Sequence, residues 1–112
     1  MSDCLFCKIV NGDIPSNKVY EDDACLAFYD IDPQAPVHFL VIPKAHIPSC
    51  GEIGPENSAV VAHIFEVISK VTKDLGAADF RVASNCGAQA GQSVPHLHFH
   101  VLAGRDMTWP PG

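Results

Sequence analysis

His96-Leu97-His98-Phe99-His100-Val101-Leu102 alternates imidazole and apolar side chains. An extended chain sends successive side chains to opposite faces, so the three histidines share one face and Leu97, Phe99 and Val101 share the other. A slip of one residue would bury the imidazoles, so the pattern pins the register. Three histidines side by side would repel if all were charged, and crowded titratable groups mark sites more often than scaffolds. The stretch therefore predicts a strand over Leu97 to Leu102 and a chemically active surface on one side of it.

Working outward, Phe80 to Ser84 reads as another strand, joined to the histidine strand by a loop that carries Gly87 and Gly91. His38-Phe39-Leu40-Val41-Ile42 reads as a central strand covered on both faces and stopped by Pro43. Lys18 to Glu21 and Cys25 to Tyr29 flank the acidic turn Glu21-Asp22-Asp23 as in a hairpin. From Pro55 to Leu75, the residues Val61, Ile64, Ile68, Val71 and Leu75 recur with spacings of three and four, the stripe of a long helix. Pro55 and Glu56 suit its start, Lys70 and Lys73 its end, and Gly76 its stop. Cys4 to Val10 reads as a short helix ended at Asn11-Gly12. The fold class is α+β: a five-stranded, mainly antiparallel sheet with one long and one short helix, a single domain over residues 1–112.

A chain of 112 residues is near the modal size of one domain and hides a little over ~60% of its unfolded surface, enough for a core without disulfides. Its 47% hydrophobic and 18% charged residues exclude a disordered chain. The net charge of -6 argues against nucleic-acid polymers, whose binding rests on phosphate neutralisation, but leaves room for a single small nucleotide. No apolar run approaches the roughly 18 residues of a membrane helix, and Met1-Ser2-Asp3-Cys4 lacks the look of a signal peptide, so a cytoplasmic protein is expected. Five cysteines, an odd number, point to metal or buried thiols rather than a disulfide framework.

The histidine row suits nucleophilic attack on phosphorus, because a neutral imidazole needs no separate base and leaves readily afterwards. Backbone N–H groups of Gly91-Gln92-Ser93-Val94 are placed to face a phosphate without lysine or arginine. Cys4-Leu5-Phe6-Cys7 has a two-residue gap that fits a metal, a redox dithiol or two buried thiols equally. Cys25, Cys50 and Cys86 are isolated, and His63 lies inside the long helix away from any motif. Neither an acidic pair at metal spacing nor a Walker sequence is present, so no magnesium requirement is expected.

The run Gly91-Gln92-Ser93-Val94-Pro95 followed by the histidine row resembles the signature of the histidine triad (HIT) superfamily. The likeness continues through Phe28 to Lys44 and the terminal Trp109-Pro110-Pro111-Gly112, which resemble the Hint-like branch. It implies a homodimer that hydrolyses or transfers a purine nucleoside monophosphate, an adenosine 5'-monophosphoramidase. By that resemblance His98 is the nucleophile at the α-phosphate, His100 meets the phosphate oxygens, and His38, His96 and Ser93 complete the catalytic set. Asn85, Ser93 and the backbone of Gln92 and Val94 would hold the phosphate, and Asp30 the ribose hydroxyls. Phe6, Ile9, Ile14, Phe28 and Ile31 would line the purine slot, with Trp109 near the leaving group. Some members carry a structural zinc at positions that fall here on Cys4, Cys7, His46 and His96. Asp30 could instead merely cap the Asp30-Ile31-Asp32-Pro33 turn, and the apolar residues could be ordinary core. Two other functions compete: a Fhit-like diadenosine polyphosphate hydrolase, and a nucleotide-binding or protein-interaction module with incidental turnover.

Overall fold

The computed structural model describes residues 4–112, so Met1 to Asp3, and with them part of the leader reading, lie outside it. Five strands form one sheet: β1 (Lys18–Glu21), β2 (Cys25–Tyr29), β3 (Val37–Pro43), β4 (Phe80–Ala83) and β5 (Phe99–Ala103). Their order is β1-β2-β3-β5-β4, and every pairing is antiparallel rather than mainly so. β3 is central, as its unbroken apolar run predicts, although it does not stop before Pro43, which still sits opposite Cys25.

The two helices cover opposite faces. Phe39 and Val41 of β3, Cys25 and Ala27 of β2, and Phe99 and Val101 of β5 pack against α2 (Ser58–Asp74) through Ile64, Val67, Ile68 and Val71. The alternate residues Leu40 and Ile42, with Leu26 and Phe28, pack against Cys4, Phe6 and Ile9 of the α1 (Leu5–Val10) segment. Each fully buried aliphatic or phenyl side chain stabilises this arrangement by about 1.5–3 kcal/mol.

Helix α2 starts later than its sequence suggests. Asn57 accepts the Gly54 N–H at 2.7 Å and donates to the Glu52 carbonyl, a side-chain turn that holds Pro55 and Glu56 outside the helix. Its buried stripe gains Val67, Val61 is half-buried and Leu75 is exposed, while Lys70 pairs with Asp74 at 3.0 Å. Gly76 ends it at φ 70°, a left-handed backbone natural to glycine. α1 begins at Leu5 with Cys4 as its N-cap, and two single 3-10 turns, Cys50–Glu52 and Ala88–Ala90, lie where only loop was expected. No helix among the described residues is long and apolar enough to cross a membrane.

Candidate functional site

β5 delivers the histidine row to the α1 side of the sheet. His100 lies opposite Leu40 of β3 and Ala83 of β4. The ladder begins at Phe99 and runs to Ala103, not from Leu97 to Leu102. β4 correspondingly ends at Ala83, and the Ser84 hydroxyl takes over, donating to the His98 carbonyl at 2.8 Å. Alternation nevertheless continues ahead of the ladder. Leu97 joins Phe99 and Val101 in the α2 core, while His96 and His98 meet Phe6 edge-on at 6.0 and 5.0 Å.

Hydrogen-bond partners define which nitrogen of each ring carries the proton. A carbonyl only accepts, so His98 donates from Nδ1 to the His96 carbonyl at 2.7 Å, leaving its Nε2 lone pair free. His96 donates from Nε2 to the Pro43 carbonyl at 2.9 Å, leaving Nδ1 bare. A backbone N–H only donates, so Gln34 fills the Nδ1 of His38 at 3.0 Å, and His38 gives its Nε2 proton to His100 Nδ1 at 2.9 Å. His100 therefore carries its own proton on Nε2. Burial, aided by His98 and His38, pulls His100 down to about 4 against the opposing Asp30. Burial also lowers His38 and His96, so the three rings stay neutral at pH 7.

His98 and His100 border a cleft of about 430 Å³. One wall is apolar, made by Leu5, Phe6, Ile9, Phe28, Ile31 and Leu40; the other carries Asp30, Asn85, Gly91, Ser93, Val94, His98 and His100. Asp30 caps its turn, Oδ1 accepting the Asp32 N–H at 2.8 Å, and its carboxylate also lines the cleft with Oδ2 3.5 Å from His38 Nε2. Ile31 stands wholly in solvent at the rim. Gly91, at φ 96°, brings bare backbone beside Asn85, whose Nδ2 would lie 3.6 Å from an added Cβ.

Several expected residues lie elsewhere. The Gly91 and Gln92 N–H groups bond the Ala88 and Gly87 carbonyls and are not free for a phosphate, while Ser93 and Val94 line the cleft. Gln92 does not line the cleft; its side chain bonds Gly87, Pro48 and Val94. Ile14 packs on the α1-side core without reaching the cleft. Trp109 is 80% exposed and lies against the Arg81 guanidinium on edge strand β4, 5.8 Å from its ring centre and not at the cleft of the same chain. Leu5 and Leu40 line the cleft unannounced. Leu40 was legible only as core, and Leu5 only as a residue between two cysteines.

Behind His98, the ligand atoms of Cys4, Cys7, His46 and His96 all lie within 4.8 Å of one another. His46 Nδ1 is 3.2 Å and His96 Nδ1 3.6 Å from Cys7 Sγ. Because His96 has its proton on the Pro43 side, it turns a bare nitrogen toward both thiols, which is the form a metal requires. These groups can hold a metal ion. Burial and the neighbouring Cys4 raise the Cys7 thiol, a penalty that a cation would reverse.

A second cluster, Asp22, Cys25 and His63, is already satisfied. Asp22 Oδ1 accepts the Ala24 and Cys25 N–H groups, and Oδ2 accepts the Tyr20 hydroxyl and His63 Nε2 at 2.7 Å. Burial would raise this carboxyl, but the bonds from His63, Ala24, Cys25 and Tyr20 hold it well below the usual range. Burial also pushes the Cys25 thiol up to about 12. The group is a hydrogen-bonded link, charged when His63 is protonated, that ties the β1–β2 turn to α2.

Known proteins share this architecture. The HIT domain family matches residues 11–107. An uncharacterized HIT-like protein of Synechocystis sp. is 50% identical over 111 residues, 98% of this chain and 97% of that one. A histidine triad protein from Clostridium difficile superposes with a TM-score of 0.93 at 51% identity over 96% of each chain. A HIT family hydrolase from Legionella pneumophila gives 0.95 at 45% identity, over 98% of this chain and 100% of that one. The matched residues hold all five strands and the whole histidine row, and on that extent of likeness the chain belongs to the HIT family.

Proposed function

We propose that this chain is a nucleotide hydrolase or transferase acting at the α-phosphate of purine nucleoside phosphoramidates through a covalent nucleotidyl-His98. The observation that carries the reading is the His98 Nδ1 bond to the His96 carbonyl, which leaves Nε2 as an uncommitted lone pair at a cleft with one apolar wall and one polar wall. The Legionella relative, described as a hydrolase, supports the reaction class.

The purine lies along Phe6, Ile9 and Phe28, the ribose hydroxyls donate to Asp30, and Asn85, Ser93 and Val94 surround the phosphate. His98 Nε2 bonds phosphorus while the phosphorus–amine bond breaks. His100 donates its Nε2 proton as a hydrogen bond to a phosphate oxygen, and the Ser93 hydroxyl relays a proton from solvent to the departing amine. Water then bonds phosphorus and loses a proton through the Ser93 hydroxyl to solvent, while the phosphorus–Nε2 bond breaks and its electron pair returns to the ring.

At Cys4, Cys7, His46 and His96 we propose zinc, which with four protein ligands would supply cross-linking rather than chemistry. Exposed Phe80 and Trp109 near edge strand β4 support a homodimer, and the free cysteines support a reducing, cytoplasmic setting. Rapid mixing with adenosine phosphoramidate, followed by intact-mass measurement, should reveal a nucleotidyl adduct that His98→Ala lacks. Turnover should persist without added magnesium. Preference for diadenosine polyphosphates in a parallel assay would move the assignment to the Fhit-like reading.

A further inference from the structure

The loop between β2 and β3 does two things for the cleft. It carries Asp30, and through the Gln34 N–H it fills His38 Nδ1, so that the His38 proton must sit on Nε2 and point to His100. Inside the loop, Asp30 Oδ1 accepts the Asp32 N–H and Gln34 Nε2 donates to the Asp32 carbonyl. From outside, the loop is gripped by the residues that follow β5. Arg105 Nε donates to the Gln34 carbonyl at 2.9 Å, while its Nη1 is anchored on the Asp106 carbonyl at 3.0 Å. Gly104, at φ 95°, lets the chain approach Pro36 so closely that an added Cβ would sit 2.9 Å from the proline Cβ. Two unlike contacts, one polar and one steric, thus converge on the same loop.

We propose that Gly104 and Arg105 are positioning residues: by clamping the Asp30–Pro36 loop they keep the Gln34 N–H on His38 and thereby set the proton that His100 presents to substrate. The device follows directly on the strand that carries His100. Neither clamp residue lines the cleft, so any influence on turnover passes through the loop. Were Gln34 to drift, His38 would be free to hold its proton on either nitrogen. His100 would then lose the defined donor that its role under the proposed function, on which this inference rests, requires.

The test is long-range nitrogen–proton NMR of the imidazoles in the wild type, Arg105→Ala, Arg105→Lys and Gly104→Ala, paired with kcat and KM on adenosine phosphoramidate. The wild type should show His38 and His100 each protonated on Nε2 alone. Arg105→Ala and Gly104→Ala should mix the His38 tautomers and lower kcat about tenfold while KM moves less than twofold. Arg105→Lys, which keeps a single donor for Gln34, should recover most of both readouts. Unchanged tautomers in Arg105→Ala overturn the inference, whether or not turnover falls. The spectra decide it even if phosphoramidates prove not to be substrates, because tautomers are read without turnover.

Discussion

From β3, Phe39 and Val41 point into a dry layer beneath α2, whereas His38 and Leu40 point toward the cleft beneath α1. Both layers use the same backbone ladder, and alternation along β3 and β5 assigns residues to one or the other. On the α2 side, aliphatic and phenyl groups meet their own kind. On the α1 side, His38, His96 and His98 each have one ring nitrogen fixed by a backbone carbonyl or N–H. Stability and chemistry are thus kept on opposite surfaces of one sheet, which makes them separable by substitution.

The sharpest separation is His98→Ala, which removes the lone pair proposed to attack phosphorus. Turnover of adenosine phosphoramidate should fall on the order of 10⁴-fold or more, with the unfolding free energy within about 2 kcal/mol of wild type by denaturant titration. Phe39→Ala is the mirror experiment. Emptying that fully buried site should cost about 3–5 kcal/mol in the same titration while the folded fraction turns over at a near wild-type rate. Proportional losses in both quantities for either variant would break the contrast between the faces.

Metal removal addresses the α1 side alone. Purified protein should carry one zinc per chain by elemental analysis, and chelation should lower Tm by at least about 5 °C. His46→Ala should reproduce that shift without a chelator.

Two smaller effects follow from protonation. His100 is held at about 4 in the fold, below its unfolded value of about 6.5, so the folded state binds fewer protons between those limits. Its contribution is complete above about 6.5 and is lost as pH falls toward 4. His100→Asn should accordingly lose less stability than wild type between pH 7 and 4.5. His63 has the opposite sign, because the Asp22 bond raises it. That contribution is complete below about 6.5 and disappears as pH rises through the folded value. His63 is about a third exposed, so His63→Ala should cost only about 0.5–1 kcal/mol at pH 6 and almost nothing at pH 9, with turnover unchanged.

Strand register and the division of faces were legible because a period of two admits one solution once three histidines must avoid a hydrophobic layer. What escaped the sequence depends on partners far along the chain. The beginning of β5 depends on Ser84, which replaces a ladder bond to His98 with a hydroxyl. The late start of α2 depends on the Asn57 side chain holding Gly54. The tautomers of the row need Gln34 and Pro43, neither of which has a sequence signature of that role. Trp109 leaves the cleft of its own chain because Arg81, on the edge strand, offers it a cationic face and takes the Thr108 carbonyl.

The Gln92 side-chain amide is bonded at both ends. Oε1 receives Gly87, and Nε2 reaches both Pro48 and Val94. One planar group thus works as a three-way hub that wires the turn at the cleft to the distant backbone of Pro48. Exchanging its nitrogen for oxygen, as in Gln92→Glu, would set two carbonyls adrift at once and leave a negative charge inside the turn that leads into the histidine row.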